Sequence, residues 1–369
     1  MPSPASATCR YWFASASHRR SRLRRRVRSA PISKTISFSE FLEVALYDPV
    51  RGFYGANGAA GRRGDFLTSV ELGPLFGAVL ARALDSWWDG LGRPDPYIVV
   101  EAGAGRGALA ESVLGAEPRC QGALRYVAVE RSARLREHHA GKGFASVADL
   151  PDEPFAGAIV ANELLDNLPF DLVERSGDGW QEIRVGQADS GELREVLEPA
   201  APELSRAASQ LAPGAQAGAR LPVQRAAGNW VRTALDRLLR GRLLVFDYAV
   251  PSTSELAGRN WTEWLRTYAR HRRGGHPLEA PGNQDITVEV CVDQLAAAAR
   301  PPDRDRSQAA FLRAYGIDEF WEDARRRWHA GASKGDLQAF RARSTVSEAA
   351  ALTDPDGLGA FRALEWVVP

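Results

Sequence analysis

The sequence predicts an α/β protein: a mostly parallel sheet with helices on both faces. Three observations carry this. Short apolar runs at 98–102, 124–130, 156–162 and 242–250 lack the polar alternation of a one-sided sheet, so they read as strands buried on both faces. Helical patterns separate these runs, as parallel crossovers require. Three glycines at alternate positions, Gly103, Gly105 and Gly107, then lead from the first run directly into a helix, a turn that lets a ligand approach the backbone.

The elements follow in order. Residues 1–34 hold eight arginines, one lysine and no acid, and 1–35 read as a disordered basic leader. That composition also resembles an organellar transit peptide, so the expected location is the cytoplasm, or the mitochondrial matrix if the leader is a true transit peptide. SFSEFLEVALYDPV is an amphipathic helix with Ser37 or Ser39 as N-cap and Asp48-Pro49 as its stop. A glycine-rich loop ends in GDFLTS, and ELGPLFGAVLARALDSWWDGL is a long helix. Together 36–92 are expected to form a helical cap or lid over a core at 93–369. Within that core, SGDG at 176–179 marks a hairpin. Residues 187–220 read as an irregular excursion, and NWVRTALDRLLRG as a helix with Gly241 just past its end. Residues 255–285 read as polar loop, two or three helices follow DITVEVCV, and FRALEWVV is the last strand. The insertions expected in the core are therefore 171–225 and 255–285, at the carboxyl ends of the strands where open α/β sheets bind ligands.

A formal net charge of +1 shows no bias toward nucleic acid or a membrane surface, and no apolar run approaches the roughly 20 residues of a membrane-spanning helix. Cys9, Cys120 and Cys291 are too scattered for a disulfide framework or a zinc site, and no metal is expected.

The acids around the glycine turn narrow its ligand. A P-loop fails for want of GK[ST]. The dinucleotide fingerprint is formally met with Ala108 in last place, and a bare tight turn would also use these glycines. Glu101, two residues ahead of Gly103, would repel a pyrophosphate and attract a ligand with an ammonium and a sulfonium. S-adenosylmethionine is such a ligand. Glu130, ending the second strand, can accept its ribose hydroxyls, a device NAD sites share. Asp149 can accept from an adenine amino group, or be an exposed loop acid.

ALYDPVRGFYG (45–55), GDFLTS (64–69), EAGAGRGAL (101–109), ANELLDNLP (161–169), VFDYAV (245–250) and LRTYARHRRGGHPLEAPGNQDIT (265–287) together resemble the MidA-like family of S-adenosylmethionine-dependent methyltransferases. The resemblance spans most of 36–290. It implies a seven-stranded Rossmann-like class I methyltransferase sheet with an N-terminal helical cap and inserted segments. It also implies methyl transfer to a protein side chain, arginine preferred, since a mitochondrial member of the family methylates arginine on a complex I subunit. Ala104 stands where members often have a bulkier residue or proline. Leu165 and Asn167 stand where they have an aromatic or small residue.

For that chemistry the acceptor must sit about 3 Å from the methyl with water kept out. Glu163, following the third apolar run, is the candidate for orienting an acceptor or contacting the cofactor, with Asp166 second if the two share a helical face; a turn network is their alternative. Asn162 is a candidate for cofactor binding, and Asp65, Thr68 and Ser69 are candidates for the cofactor's methionine end, although Thr68 or Ser69 could equally cap a helix. Tyr54, Tyr248, His271 and Asp285 are candidates for the substrate side, with Asp285 at the pocket mouth. Asp247 reads as a solvated strand-end acid. The expected partner is a protein substrate, with a homodimer left open; a non-catalytic assembly factor and a nicotinamide oxidoreductase are the alternatives.

Overall fold

The computed structural model describes residues 35–57, 68–177, 179–269, 272–331 and 337–369. Asp65, His271 and the basic leader lie outside the described residues, except that Thr35 opens a short strand, Thr35–Ser37.

Seven strands make the central sheet: β1 Tyr97–Ala102, β2 Leu124–Val129, β3 Ala145–Val147, β4 Phe155–Asn162, β5 Leu238–Asp247, β6 Arg304–Ser307 and β7 Arg362–Val368. Their spatial order is β6-β7-β5-β4-β1-β2-β3. Strands β1 to β5 pair in parallel, whereas β7 is antiparallel to both β5 and β6. The helices of two turns or more are α1 Phe38–Tyr47, α2 Leu75–Gly90, α3 Ala108–Gly115, α4 Pro202–Leu211, α5 Arg225–Asp236, α6 Ile317–Gly331 and α7 Leu337–Leu352.

The uninterrupted apolar runs are explained by what covers them. Successive side chains of a strand point to opposite faces. Val99, Val160 and Leu244 enter one core with α2, α3 and Phe311, while their neighbours Val100, Ile159, Leu243 and Val245 enter a second with α5 and Trp366. The sheet order reverses between β1 and β4, which opens a crevice at their carboxyl ends.

A second, antiparallel sheet joins Thr35–Ser37 to the strands Trp180–Gln187, Asp171–Arg175, Arg220–Val223 and Leu193–Pro199. The expected hairpin at 176–179 is its turn, closed by Ser176 N–H donating to Gly179 O at 2.8 Å. Helix α1 starts on a capping box between Ser37 and Glu40 and stops at Asp48.

Four expectations need correction. Residues 36–92 are not one cap: α1 packs with Phe170, Ile183, Trp264 and Ile286, whereas α2 belongs to the central core. The 187–220 segment is ordered, because Leu204 and Ala208 of α4 cover Val173 and Trp180. The 255–285 segment carries two helical turns and much of a three-stranded sheet around the fully buried Trp264. Gly241 does not end a helix. Helix α5 stops at Asp236 and β5 begins at Leu238, which carries Gly241 into the sheet with φ +136°.

Gly241 and Gly157 meet there. A Cβ on Gly157 would lie 1.8 Å from the carbonyl oxygen of Ile98, and one on Gly241 would lie 1.8 Å from that of Gly157. Gly157→Ala must therefore push β4 from β1 near the amino-terminal ends of the two strands, away from the crevice. It is expected to cost about 3 kcal/mol and lower the thermal midpoint by about 4 °C, read by circular dichroism melting.

Candidate active site

A cleft of about 1400 Å³ opens at the carboxyl ends of β1, β2 and β4, lined by Glu101, Gly103, Gly105, Glu130, Asn162 and Glu163 among others. The glycine turn forms its floor. Gly103, Gly105 and Gly107 have φ of +72°, +54° and +82°, which L side chains rarely adopt. At Gly107 a side chain would also strike Phe144 at 2.7 Å, whereas the space at Gly105 is open to the cleft. The turn is tied down from below. Ala104 N–H donates to Val129 O at 3.0 Å, and the His139 ring bridges Gly105 O at 2.9 Å and Ser146 Oγ at 2.8 Å. Since a carbonyl only accepts, Nε2 carries the proton and Nδ1 accepts from Ser146. Burial pulls the His139 pKa down, which favours that neutral ring.

Two acids flank the turn. Glu101 is 5% exposed, accepts from Tyr126 Oη at 2.9 Å, and is pushed up to about 8 by burial. Glu130 accepts from Gly105 N–H at 2.9 Å and Ser132 N–H at 2.7 Å, one on each oxygen, which aims the carboxylate across the turn. Each oxygen keeps a lone pair for a ligand hydroxyl. Asp149 is exposed on the cleft rim.

The far end is built on Asn162 and Glu163. Glu163 has a left-handed backbone, φ +52°, held by its N–H donating to Phe246 O at 2.8 Å. Its Oε1 accepts from Ser69 N–H at 3.3 Å and Asn162 Nδ2 at 3.1 Å. Burial, then the charge of Asp247, push its pKa up to about 8. Asn162 Oδ1 is buried without a hydrogen-bond partner, an acceptor for which a ligand can supply the donor.

Behind this wall Asp166, Asp247 and Asp285 are buried together. Asp247 Oδ2 accepts from Leu165 N–H at 2.8 Å and its Oδ1 from Tyr248 N–H at 2.9 Å, while burial pushes its pKa up to about 7. It is not solvated. Asp166 is not one helical turn from Glu163 on a shared face, because only Leu165–Asn167 form a 3-10 turn and Glu163 lies outside it. Burial and the charge of Asp247 push its carboxyl well above the usual range. Asp285 is 0% exposed and so is not at the mouth; it meets the cleft through Tyr54, whose hydroxyl lies 2.9 Å from Asp285 Oδ1 and 3.0 Å from Asn167 Oδ1.

Of the remaining candidates, Thr68 lines the cleft and Ser69 turns its hydroxyl to Gln308 at 3.1 Å. Neither caps a helix with its side chain, since α2 begins after Pro74. Tyr248 packs on Phe361 with ring centroids 3.8 Å apart, away from the cleft lining. Sequence reasoning missed Glu71, Arg106, Tyr47, and Trp230 and Thr233 of α5 with Arg237 just past its end, as cleft residues. For α5 the signal was present: Trp230 and Thr233 lie one turn apart on an otherwise polar face. Among the described residues no helix is long and apolar enough to cross a membrane.

Residues 79–304 match the family described as "Putative S-adenosyl-L-methionine-dependent methyltransferase". A Burkholderia thailandensis protein solved with S-adenosyl-homocysteine bound is 30% identical with a TM-score of 0.75, covering 90% of this chain and 88% of that one. The mitochondrial protein arginine methyltransferase NDUFAF7 of Danio rerio is 28% identical over 325 residues, 77% of this chain and 74% of the relative. Its Homo sapiens counterpart is 26% identical over 322 residues, 77% of this chain and 70% of the relative.

A neutral Glu101 ties stability to pH. Unfolded it ionises near its ordinary 4.5, but folded only near 8. The folded chain binds the extra proton between those limits, so the penalty of a buried charge is absent below 4.5 and complete above 8. Glu101→Gln is expected to match the wild-type thermal midpoint at about pH 5 and exceed it by about 5 °C at about pH 9, in melts of ligand-free protein.

Proposed function

Because the chain belongs to the S-adenosyl-L-methionine-dependent methyltransferase family matched over residues 79–304, we propose that it methylates a protein side chain, with arginine the preferred acceptor. Its cofactor is S-adenosylmethionine. The observation that carries the acceptor reading is that Glu101, Glu130 and Glu163 line one continuous cleft. The glycine turn with its two acids suits the cofactor, and Glu163 suits an acceptor beside it. The strand order, with β7 antiparallel between β5 and the edge strand β6, suits a class I methyltransferase sheet.

The residues present fit the cofactor. The open backbone at Gly105 leaves room for it, Glu130 has lone pairs for two ribose hydroxyls, and Glu101 can ionise against an ammonium. Asn162 Oδ1 offers a further acceptor, Thr68 lines the same end, and Asp149 on the rim suits the adenine amino group. When bound, S-adenosylmethionine supplies an electrophilic methyl on a positively charged sulfur. Glu163 then does the chain's part. An arginine side chain has a pKa above about 12 and arrives protonated, so it needs a carboxylate both to hold it and to relieve the charge that develops. Glu163 is braced by Ser69 N–H and Asn162 Nδ2, which leaves its other oxygen for the acceptor. Tyr54, anchored on Asp285 and Asn167, walls the acceptor side and limits water. A nicotinamide cofactor suits this cleft poorly, because a pyrophosphate on the turn would face Glu101.

The location that goes with this reading is the cytoplasm, or the mitochondrial matrix if residues 1–34 act as a transit peptide, as the mitochondrial relatives suggest.

The test is transfer of tritiated methyl into a lysate of host cells lacking the gene, followed by acid hydrolysis. Labelled methylarginine is expected, and Glu163→Gln should lower its rate about 100-fold while S-adenosyl-homocysteine affinity by calorimetry stays within a few-fold. Cofactor binding with no label in any protein would favour a non-catalytic assembly factor.

A further inference from the structure

We propose that Glu71 is a second acceptor-binding residue, forming with Glu163 a two-carboxylate clamp on the guanidinium of the methyl acceptor; this rests on the arginine reading above.

Glu71 ends a short 3-10 turn, Ser69–Glu71, and the same turn is fastened to Glu163 by Ser69 N–H. Both carboxyl groups line the cleft. Glu71 Oε2 is buried and has no hydrogen-bond partner, and neither has Thr68 Oγ1 at the start of the turn. A buried oxygen left without a donor costs about 1–3 kcal/mol, so a wall that gathers such atoms is complementary to something absent from the chain itself. The missing partner must bring donors and positive charge. A guanidinium brings five N–H donors in one plane and accepts nothing, which a lysine ammonium does not match.

The charges agree. Burial pushes Glu71 up to about 7, opposed only by Arg106, and the Glu71 charge is among those that raise Glu163. Among the described residues Arg106 is the charge that bears on Glu71, while Asp247 and Glu71 both bear on Glu163. Near neutral pH a cation between two acids so arranged favours the ionised form of both. They also balance the reaction. As the N–CH3 bond forms and the S–CH3 bond breaks, sulfur keeps the bonding pair and the guanidinium nitrogen loses one proton. That proton passes to a clamp carboxylate and then to water at the cleft mouth. The product leaves as a methylated guanidinium with the same single charge it had on arrival.

The experiment uses the full chain with Glu71→Gln and Glu71→Asp. S-adenosyl-homocysteine is titrated calorimetrically, and methylarginine formation in the lysate is followed from about pH 6 to 9. Glu71→Gln should bind S-adenosyl-homocysteine within about two-fold of wild type, form methylarginine about 100-fold more slowly, and lose the rise in rate through about pH 7; Glu71→Asp should recover part of the rate. Methylarginine formed by Glu71→Gln at the wild-type rate overturns the clamp alone. Loss of S-adenosyl-homocysteine affinity in step with rate overturns it too, assigning Glu71 to the cofactor. Wild-type protein that labels no arginine overturns the arginine reading itself, and the clamp with it.

Discussion

Carboxyl groups held out of water at the ends of parallel strands are the constraint on which this molecule turns. Glu101, Glu163 and Asp247 lie within one residue of the ends of β1, β4 and β5, and burial raises all three toward neutrality. The fold tolerates them because each is held by donors from the chain: Tyr126 for Glu101, Ser69 and Asn162 for Glu163, three backbone amides for Asp247. Those donors keep each acid in place without matching its charge. A ligand carrying positive charge therefore gains more here than on an ordinary surface, where water already solvates both partners. Recognition of cations follows from how the sheet ends, rather than from the chain's net charge of +1.

The segments around the central sheet have a different task. Tyr54, Asn167 and Asp285 come from three separate stretches and converge in one hydrogen-bonded group. Asn167 Nδ2 also reaches Ile286 O at 3.3 Å, and Tyr47 Oη reaches Asn167 O at 3.0 Å. The wall that closes one side of the cleft is thus cross-braced by polar groups of α1, the turn after β4 and the small three-stranded sheet. Buried polar networks of this kind specify one arrangement when every member is satisfied.

Much of this was legible in the sequence. The strands that carry the cleft are two-sided apolar runs, and their ends coincide with Glu101, Glu130 and Asn162, because parallel strands cannot be anything but apolar until they emerge from the core. The glycine turn was legible for the same reason: only glycine takes its three positive φ values easily. What escaped was set by contacts distant in sequence. Burial of Asp285 depends on packing by α1, and burial of Asp247 on amides 80 residues earlier in the chain, neither of which leaves a local pattern. The ordered 187–220 segment was hidden by alanine and glycine, whose small side chains give a weak helical or strand signature even where they fill a core. Glu71 looked like the first acid of a helix that in fact begins after Pro74.

The bond between Tyr54 and Asp285 joins residues 231 positions apart. During synthesis at roughly 5–20 residues per second, that separation is roughly 10 to 50 s of waiting. Over this interval α1, with its apolar face of Phe38, Phe41 and Leu42, emerges long before Trp264 and Ile286 exist to cover it. The glycine turn and the strands on either side of it are complete by about residue 162, but both cores that hold them also take in residues made later, Phe311 and Trp366 among them. The Tyr54 wall of the cleft is therefore among its last parts to close, although it contains some of the first residues made.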